Sequence, residues 1–203
     1  MLAGSRVAIR AVTSEDVAVL SEIANDPRVR TSVVGIGWPT SHAHDAYLAK
    51  DGDEHARVVR LAVVELDSHR VVGMTGLWDV DWRNRTASTG IKIHPTSWGK
   101  GFGLDAVRLL TSWAFLEVGL NRLWTSVFPS NAASLRIYGD LCGWQVEGRL
   151  RESVFRSGVL NDVLILGQLR REFDRQEWKR EYSKFLLSPL LLEGDESQRG
   201  TSP

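Results

Sequence analysis

Three glycines that alternate along a short loop are the residues whose spacing first suggests chemistry. Gly99, Gly101 and Gly103 follow an alternating segment around Ile91 that is typical of a strand, and a helical pattern begins at Leu104. Glycines let backbone N–H groups converge on one point without side chains in the way, and a helix N-terminus adds a partial positive charge. The loop therefore suits a pyrophosphate, although a strand-to-helix turn that binds nothing fits the spacing about equally well.

Two familiar nucleotide-binding loops fit this stretch less well. The P-loop of nucleotide triphosphatases ends in Gly-Lys-Ser or Gly-Lys-Thr, and the stretch has no such ending. Gly101, Gly103 and Ala106 fit the loose dinucleotide fingerprint, but that fingerprint also needs an acid at the end of the next strand, about 20 residues on. Asn121–Phe128 contains no acid, so the sequence disfavours a dinucleotide.

The hexapeptide Trp98–Gly103 resembles the acetyl-CoA pyrophosphate loop of the GNAT superfamily of N-acetyltransferases. The second motif of that superfamily is a helix of the form Asn-x-x-Ser-x-x-x-Tyr that ends in glycine and an aromatic residue, and it is matched by Asn131, Ser134, Tyr138, Gly143 and Trp144. From about Arg6 to Leu169 the chain is similar to the subgroup that includes ribosomal-protein N-terminal acetyltransferases and spermidine acetyltransferases. Two motifs in the expected order make the resemblance specific for the cofactor and the reaction, but not for the acceptor.

The resemblance implies an acetyl-CoA-dependent N-acetyltransferase, an acyltransferase that moves the acetyl group directly to an amine. The acceptor would be a small molecule, such as a polyamine, an amino sugar or an antibiotic, or else a protein N-terminus. Acetyl-CoA would be the co-substrate, and no metal would be needed. The alternative is a GNAT-like sensor or partner module that binds acyl-CoA without turnover, because Ser88 stands where many relatives carry a glutamate.

The resemblance also implies which residues hold coenzyme A. Backbone N–H groups of the glycine loop would bind the pyrophosphate. The pantetheine arm would lie beside the fourth strand, where that strand splays from the fifth, and strand amides would hold the thioester carbonyl. The residues expected to contact the cofactor are Ile91, Lys92, Ile93, Trp98, Gly99, Lys100, Gly101, Phe102, Gly103, Leu104, Asn131 and Ser134.

Tyr138 matches the family's general acid, which would protonate the departing thiolate; the alternative is a packed core tyrosine with a satisfied hydroxyl. An alkyl amine with a pKa near ~10 is mostly protonated at neutral pH, so a base is needed unless the acceptor has a low pKa. Carboxylates at the end of the third strand and on the closing hairpin are available as the base: Asp79, Asp81, Glu152 and Asp162. Asp81 and Asp162 are taken as the catalytic candidates, and the acids at these strand ends favour a neutral or cationic acceptor.

The composition excludes several other classes of protein. The chain has 203 residues with 25 basic and 25 acidic side chains, so no net charge attracts it to nucleic acid or to an anionic membrane. Its single cysteine, Cys142, excludes an internal disulfide, and a cytoplasmic location is expected, where acetyl-CoA is available. His42 and His44 are two residues apart and point to different sides of a helix, which disfavours a metal site. Eight tryptophans suggest an aromatic pocket or a homodimer interface.

The expected fold is α/β: a single GNAT-like domain with a mixed, mainly antiparallel seven-stranded sheet, splayed between strands 4 and 5, and helices on both faces. Residues 1–170 would form this domain, and residues 171–203 a C-terminal helix, from Arg171 to Leu187, and a disordered tail. A further helix is expected from Thr40 or Ser41 to about Lys50. The predicted strands are Arg6–Val12, Val58–Leu66, Val71–Val80, Ser88–His94, Leu123–Phe128, Trp144–Phe155 and Leu160–Leu169.

Overall fold

Eight strands form one sheet in the computed structural model, which describes residues 1–35, 57–182 and 184. The strands are β1 (Leu2–Ala3), β2 (Val7–Ala11), β3 (Val59–Glu65), β4 (Val71–Asp81), β5 (Thr86–Ile93), β6 (Arg122–Val127), β7 (Gln145–Arg156) and β8 (Val159–Leu169). Their order in the sheet is β1-β2-β3-β4-β5-β6-β8-β7. The predicted mixed, mainly antiparallel sheet is confirmed, with one strand more than the seven expected, because Leu2 and Ala3 pair with β2.

The sheet opens between β5 and β6, its parallel pair of strands. The register begins at Thr86 and Arg122, and the last pair is Ser88 with Trp124. Neither strand ends there, since β5 continues to Ile93 and β6 to Val127. The splay predicted between the fourth and fifth strands is therefore confirmed, and Ser88 lies at its apex.

Five helices with both ends in the described part of the chain accompany the sheet: α1 (Val17–Asn25), α2 (Pro27–Ser32), α3 (Phe102–Leu116), α4 (Ala132–Leu135) and α5 (Arg170–Phe173). Short 3₁₀ turns lie at Ser14–Asp16 and Pro95–Ser97, and a π-helical segment spans Arg136–Leu141. Leu20 and Ile23 of α1 pack with Met74 of β4, whereas the main core, which includes α3, contains Leu77 of the same strand. Residues an odd number apart on a strand point to opposite faces, so helices cover both faces, as predicted.

Helix α3 buries a charged residue, Asp105, as well as its apolar side chains. Asp105 is only 3% exposed. Its carboxylate accepts hydrogen bonds from the backbone N–H groups of Ser5 (3.2 Å), Arg6 (2.6 Å) and Val7 (2.8 Å), and from the Tyr182 hydroxyl. Asp105 thus ties the start of β2 and the C-terminal segment to the first turn of α3, directly after the glycine loop.

We expect Asp105→Ala to lower the free energy of unfolding by about 2 kcal/mol, because buried backbone donors lose their acceptor. Urea denaturation followed by circular dichroism would measure the change. Asp140→Ala is the matched control, since Asp140 is exposed. Equal losses in the two variants would contradict the role given to Asp105.

The C-terminal segment departs from the single helix predicted from Arg171 to Leu187. Helix α5 ends at Phe173, residues 174–178 form turns, and residues 179–182 are helical again. Phe173, Trp178 and Tyr182 all join the main core. Phe173 and Trp178 are five positions apart and do not share one face of a straight helix, so the break lets all three pack inward.

Some predicted segments lie outside the described residues. They are the remainder of that C-terminal helix, the predicted tail, and the predicted helix over residues 40–50 with His42 and His44. The domain boundary at residue 170 stays a prediction.

Candidate functional site

A cavity of about 600 Å³ lies over the splayed part of the sheet. Helix α1 and the end of α2 form one side, β4 and β5 form the floor, and β6 with α4 and the π-helical segment forms the other side. Ser88–Lys92 and Trp124–Val127 line it from the two separating strands. Of the predicted site residues, Ile91, Lys92, Asn131, Ser134 and Tyr138 face this one space.

Tyr138 lies deep in this cavity and is 2% exposed. Its ring packs edge-on against Trp144, with centroids 4.9 Å apart. Its hydroxyl has no hydrogen-bond partner of good geometry among the described residues. Burial raises the pKa of Tyr138, and the neighbouring side chain of Thr125 acts in the opposite direction. The hydroxyl therefore remains protonated at neutral pH and can serve as a proton donor, but not as a base.

The π-helical segment Arg136–Leu141 sets the position of Tyr138. In a regular helix, Ala133, Ile137 and Leu141 would share one face and turn toward the core, but Ala133 is exposed and the other two are only half-buried. A π turn shifts the register of the side chains that follow it, and here Tyr138 is the buried residue. The regular spacing of Asn131, Ser134 and Tyr138 gave no signal of this shift.

Asn131 and Ser134 begin the same helical unit. Asn131 is the N-cap of α4: its side-chain oxygen accepts from the Ser134 backbone N–H at 3.0 Å. Its amide nitrogen donates to the backbone carbonyl of Ser32 at 2.8 Å. Asn131 therefore joins α4 to the end of α2 across the cavity, a structural role that the sequence pattern did not predict.

The glycine loop has the backbone that its sequence suggested. Gly99 and Gly101 have φ angles of 78° and 83°, in the left-handed region that favours glycine. Gly101 is the N-cap of α3, so the N–H groups of the next residues have no acceptor within the helix. Gly103 does not share this left-handed backbone, and a Cβ atom there would make an ordinary contact, 3.4 Å from Cδ1 of Ile137.

Residues on either side of the glycines tie the loop to the sheet. Trp98 is about half exposed and donates from Nε1 to the backbone carbonyl of Ile93 at 2.7 Å. The backbone carbonyl of Lys100 accepts from the Arg6 guanidinium at 3.3 Å. Phe102 is buried and packs in the main core, and Leu104 packs against it. The loop is thus held at the end of β5, next to the splay.

Lys92 presents a cation to the cavity. It pairs with Met74 across β4 and β5, on the face that α1 covers, whereas Ile93 is buried in the core of the opposite face. Burial lowers the pKa of Lys92. No ion pair joins it to an acid in the described part of the chain.

Asp81 and Asp162 are not brought to this cavity. Asp81 accepts from the backbone N–H (2.8 Å) and the side-chain amide (2.7 Å) of Asn84. Asp162 accepts from the Glu152 backbone N–H (2.8 Å) and from the Arg149 side chain (2.6 Å). These hydrogen bonds lower the pKa of both carboxyl groups, which weakens them as bases. Glu152 and Asp162 line a separate depression on the β7–β8 hairpin.

Asp79 has a different setting from the other carboxylates. It lies where the β4–β5 register shifts, with a φ angle of 51°. Its Oδ2 is 3.3 Å from Oγ of Ser88, and that hydroxyl also lies 3.1 Å from the backbone carbonyl of Trp78. Ser88 and Trp78 both line the cavity.

Cys142 is inert in this setting, and other site types find no support. Burial raises the pKa of the Cys142 thiol to about 12, so it is not a nucleophile at neutral pH. The described residues contain no cluster of three His, Cys, Asp or Glu side chains that could hold a metal ion. None of the helices within them is long and apolar enough to cross a membrane.

Comparison with known proteins supports one family. The family described as "Acetyltransferase (GNAT) domain" matches residues 6–141. The chain is 31% identical over 171 residues to the uncharacterized N-acetyltransferase p20 of Bacillus licheniformis, covering 83% of this chain and 95% of that protein. It is 28% identical over 109 residues to the spermidine N(1)-acetyltransferase of Vibrio cholerae, covering 54% of this chain and 62% of the relative.

Solved structures agree on the fold. The crystal structure of a Vibrio cholerae spermidine N-acetyltransferase in complex with CoA and spermine superposes with a TM-score of 0.77. The match covers 83% of this chain and 98% of the other, at 20% identity.

Proposed function

Because the chain belongs to the GNAT family of acetyltransferases and is an acetyl-CoA-dependent N-acetyltransferase, we propose that it acetylates the primary amine of a small molecule, with Tyr138 as the proton donor. The observation that carries this proposal is the buried Tyr138 hydroxyl, which has no hydrogen-bond partner of good geometry among the described residues and faces a cavity at the splay. A structural tyrosine would normally have its buried hydroxyl satisfied. A hydroxyl held ready for a substrate atom does not need an internal partner.

The roles of the surrounding residues follow from their chemistry. Acetyl-CoA supplies the activated acetyl group as a thioester. The N–H groups at the start of α3, beside Gly101, would bind its pyrophosphate, and the unpaired edge of β5 at Ile91–Ile93 would hold its pantetheine arm. Backbone amides at that edge would stabilise the oxyanion that develops on the carbonyl. Tyr138 would give its proton to the thiolate as the C–S bond breaks.

The cavity walls favour an acceptor with an apolar skeleton. Leu20, Val33, Met74, Trp78 and Trp124 contribute apolar surface to it. Among the described lining residues there is no Asp or Glu, and of the acids expected at this edge only Asp79 comes close, through its contact with the cavity-lining Ser88. A polyamine carries several positive charges, which nearby carboxylates would favour, whereas Lys92 would repel them. We therefore propose an amine on an aromatic or branched aliphatic body.

An acceptor panel tests this function. Purified protein with acetyl-CoA should release free thiol with phenethylamine or a similar arylalkylamine, at a kcat/KM roughly tenfold or more above that for spermidine, because the apolar body is desolvated in the cavity. Glucosamine and a short peptide with a free N-terminus complete the panel. Binding of acetyl-CoA without thiol release for any amine would support the alternative, a non-catalytic acyl-CoA-binding module.

The homodimer and the cytoplasmic location stay predictions. The β7–β8 hairpin at the edge of the sheet supports the first, because Phe155 (66% exposed) and its cross-strand partner Leu160 (55% exposed) present apolar surface there.

A further inference from the structure

We propose that Asp79 removes the proton from the acceptor ammonium group, acting through the Ser88 hydroxyl. This inference rests on the proposed function, because it concerns the same amine in the same cavity. Three features of the β4–β5 pair support it: the direction of the Asp79 side chain, the position of Ser88, and the absence of other strong partners for the Asp79 carboxylate among the described residues.

The Asp79 side chain is turned out of its regular direction. In a regular strand Asp79 would point away from the face that carries Met74 and Trp78, toward the opposite face of the sheet. The register shift after Trp78 and the left-handed backbone of Asp79 interrupt that alternation. As a result the carboxylate lies beside Ser88, which pairs with Trp78 on the cavity side. Bulges of this kind re-aim side chains and are frequent next to active sites.

Ser88 lies where the acceptor and the acetyl group would meet. It forms the last pair between β5 and β6, with Trp124, so its hydroxyl stands at the apex of the splay. The same hydroxyl lines the cavity. A serine oxygen has two acceptor lone pairs and one donor hydrogen. The Ser88 hydrogen has two acceptors within reach, the Trp78 carbonyl at 3.1 Å and Asp79 Oδ2 at 3.3 Å, so Ser88 can accept from an ammonium N–H while its own hydrogen turns to Asp79.

The Asp79 carboxylate is available, unlike the other candidates. Asp81 and Asp162 are each engaged by a backbone N–H and a side chain of their own loop or hairpin. Asp79 has no ion pair within the described residues, and its hydrogen bond is with the cavity-lining Ser88. A left-handed backbone is uncommon for residues other than glycine, and aspartate and asparagine are among those that tolerate it best. Asp79→Asn therefore removes the charge while the bulge is kept.

Every proton in the transfer has a donor and an acceptor. A proton moves from the ammonium nitrogen to the Ser88 oxygen as the Ser88 proton moves to Asp79, which leaves a neutral amine and a protonated carboxyl group. The amine lone pair forms the C–N bond, the C–S electrons go to sulfur, and Tyr138 protonates that sulfur. The second N–H proton of the acetylated nitrogen returns to the Tyr138 oxygen through solvent, and Asp79 releases its proton to water.

The test is the pH dependence of Asp79→Asn on two acceptors. With an alkylamine at pH 7, kcat/KM should fall roughly 10–10²-fold, as expected for a lost base. The deficit should shrink as the pH rises toward the pKa of the amine, because the acceptor then arrives neutral. With a weakly basic amine that is already neutral at pH 7, such as an arylhydrazine, the variant should match the unmodified enzyme.

Four further variants distinguish a base at Asp79 from a structural role for that residue. Ser88→Ala should show the same pH-dependent deficit, and Asp67→Asn, on an exposed turn, should show none. Tyr138→Phe should lower the turnover of both acceptors, since the Tyr138 hydroxyl protonates the leaving thiolate.

An Asp79→Asn deficit that is equal at every pH and for both acceptors would mean a structural role and overturn the inference. The inference would also be overturned if Asp81→Asn showed the pH-dependent deficit and Asp79→Asn did not. The same holds if Asp79→Asn showed it and Ser88→Ala did not. No turnover of any amine by the unmodified enzyme would instead overturn the proposed function, and this inference with it.

Discussion

Replacing Tyr138 with phenylalanine should lower turnover by roughly 10²–10⁴-fold, the usual range for a lost general acid. The ring would still pack against Trp144, and only the donor would be removed. Since the hydroxyl has no hydrogen-bond partner of good geometry among the described residues, its loss should leave the free energy of unfolding and the affinity for acetyl-CoA nearly unchanged. The thiolate would then leave without a proton, which raises the barrier for the breaking C–S bond.

Single-turnover kinetics is the decisive measurement, because it reports acyl transfer even where product release limits the steady-state rate. Tyr182→Phe is the matched control. It also removes a buried tyrosine hydroxyl, but that hydroxyl bonds to Asp105, so stability should fall while turnover per folded molecule is kept. A near-normal single-turnover rate for Tyr138→Phe on a good acceptor would mean that Tyr138 is only a packed aromatic residue.

The pKa of Tyr138 gives this prediction a pH signature. Burial raises that pKa above its ordinary value of about 10. The protonated hydroxyl is the active form of an acid, and a raised pKa extends that form to higher pH. The rate should therefore show no alkaline limb from Tyr138 below about pH 10, and a decline seen below that value in the unmodified enzyme must come from another group.

The features that sequence reasoning found are those with a local signal. Alternating side chains mark β2 and β5, a nearly continuous apolar run marks β3, and the left-handed positions of Gly99 and Gly101 need the residue that the sequence supplies. The two motifs also lie where the splay needs them, because the loop follows β5 and the Asn131 helix follows β6. These features depend on residues close together in the chain.

The features that sequence reasoning missed depend on contacts between residues distant in the chain. The break after Phe173 exists because Trp178 and Tyr182 pack on α3, about 70 residues away in sequence. The bulge at Asp79 changes a register between two strands, and an alternating pattern cannot show where it falls. The same holds for the π turn at Tyr138, whose hydrogen bonds replace regular ones without any change of residue type. The missed features lie next to the cavity or beneath the glycine loop.

Replacing Gly101 with valine should raise the dissociation constant for acetyl-CoA roughly 10²-fold, as expected when one or two hydrogen bonds to a charged group are lost. Gly101 has a φ angle of 83°, which a β-branched residue adopts only with strain. Relief of that strain would turn the N–H groups of Phe102 and Gly103 away from the pyrophosphate. Calorimetry with acetyl-CoA would measure the loss.

Gly158→Val separates loss of the phosphate site from general strain. Gly158 has the same φ angle of 83° and, like Gly101, room for a Cβ atom, but it lies in the turn between β7 and β8. This control should lose a similar amount of stability and keep its affinity for acetyl-CoA. Acetyl-pantetheine, which lacks the pyrophosphate, distinguishes loss of the pyrophosphate contacts from a change in the rest of the cleft. Gly101→Val should bind it as tightly as the unmodified protein does, because only the pyrophosphate contacts are lost. Equal weakening for both thioesters would show that Gly101 supports the cleft as a whole, and unchanged affinity for acetyl-CoA would remove the loop from the binding site.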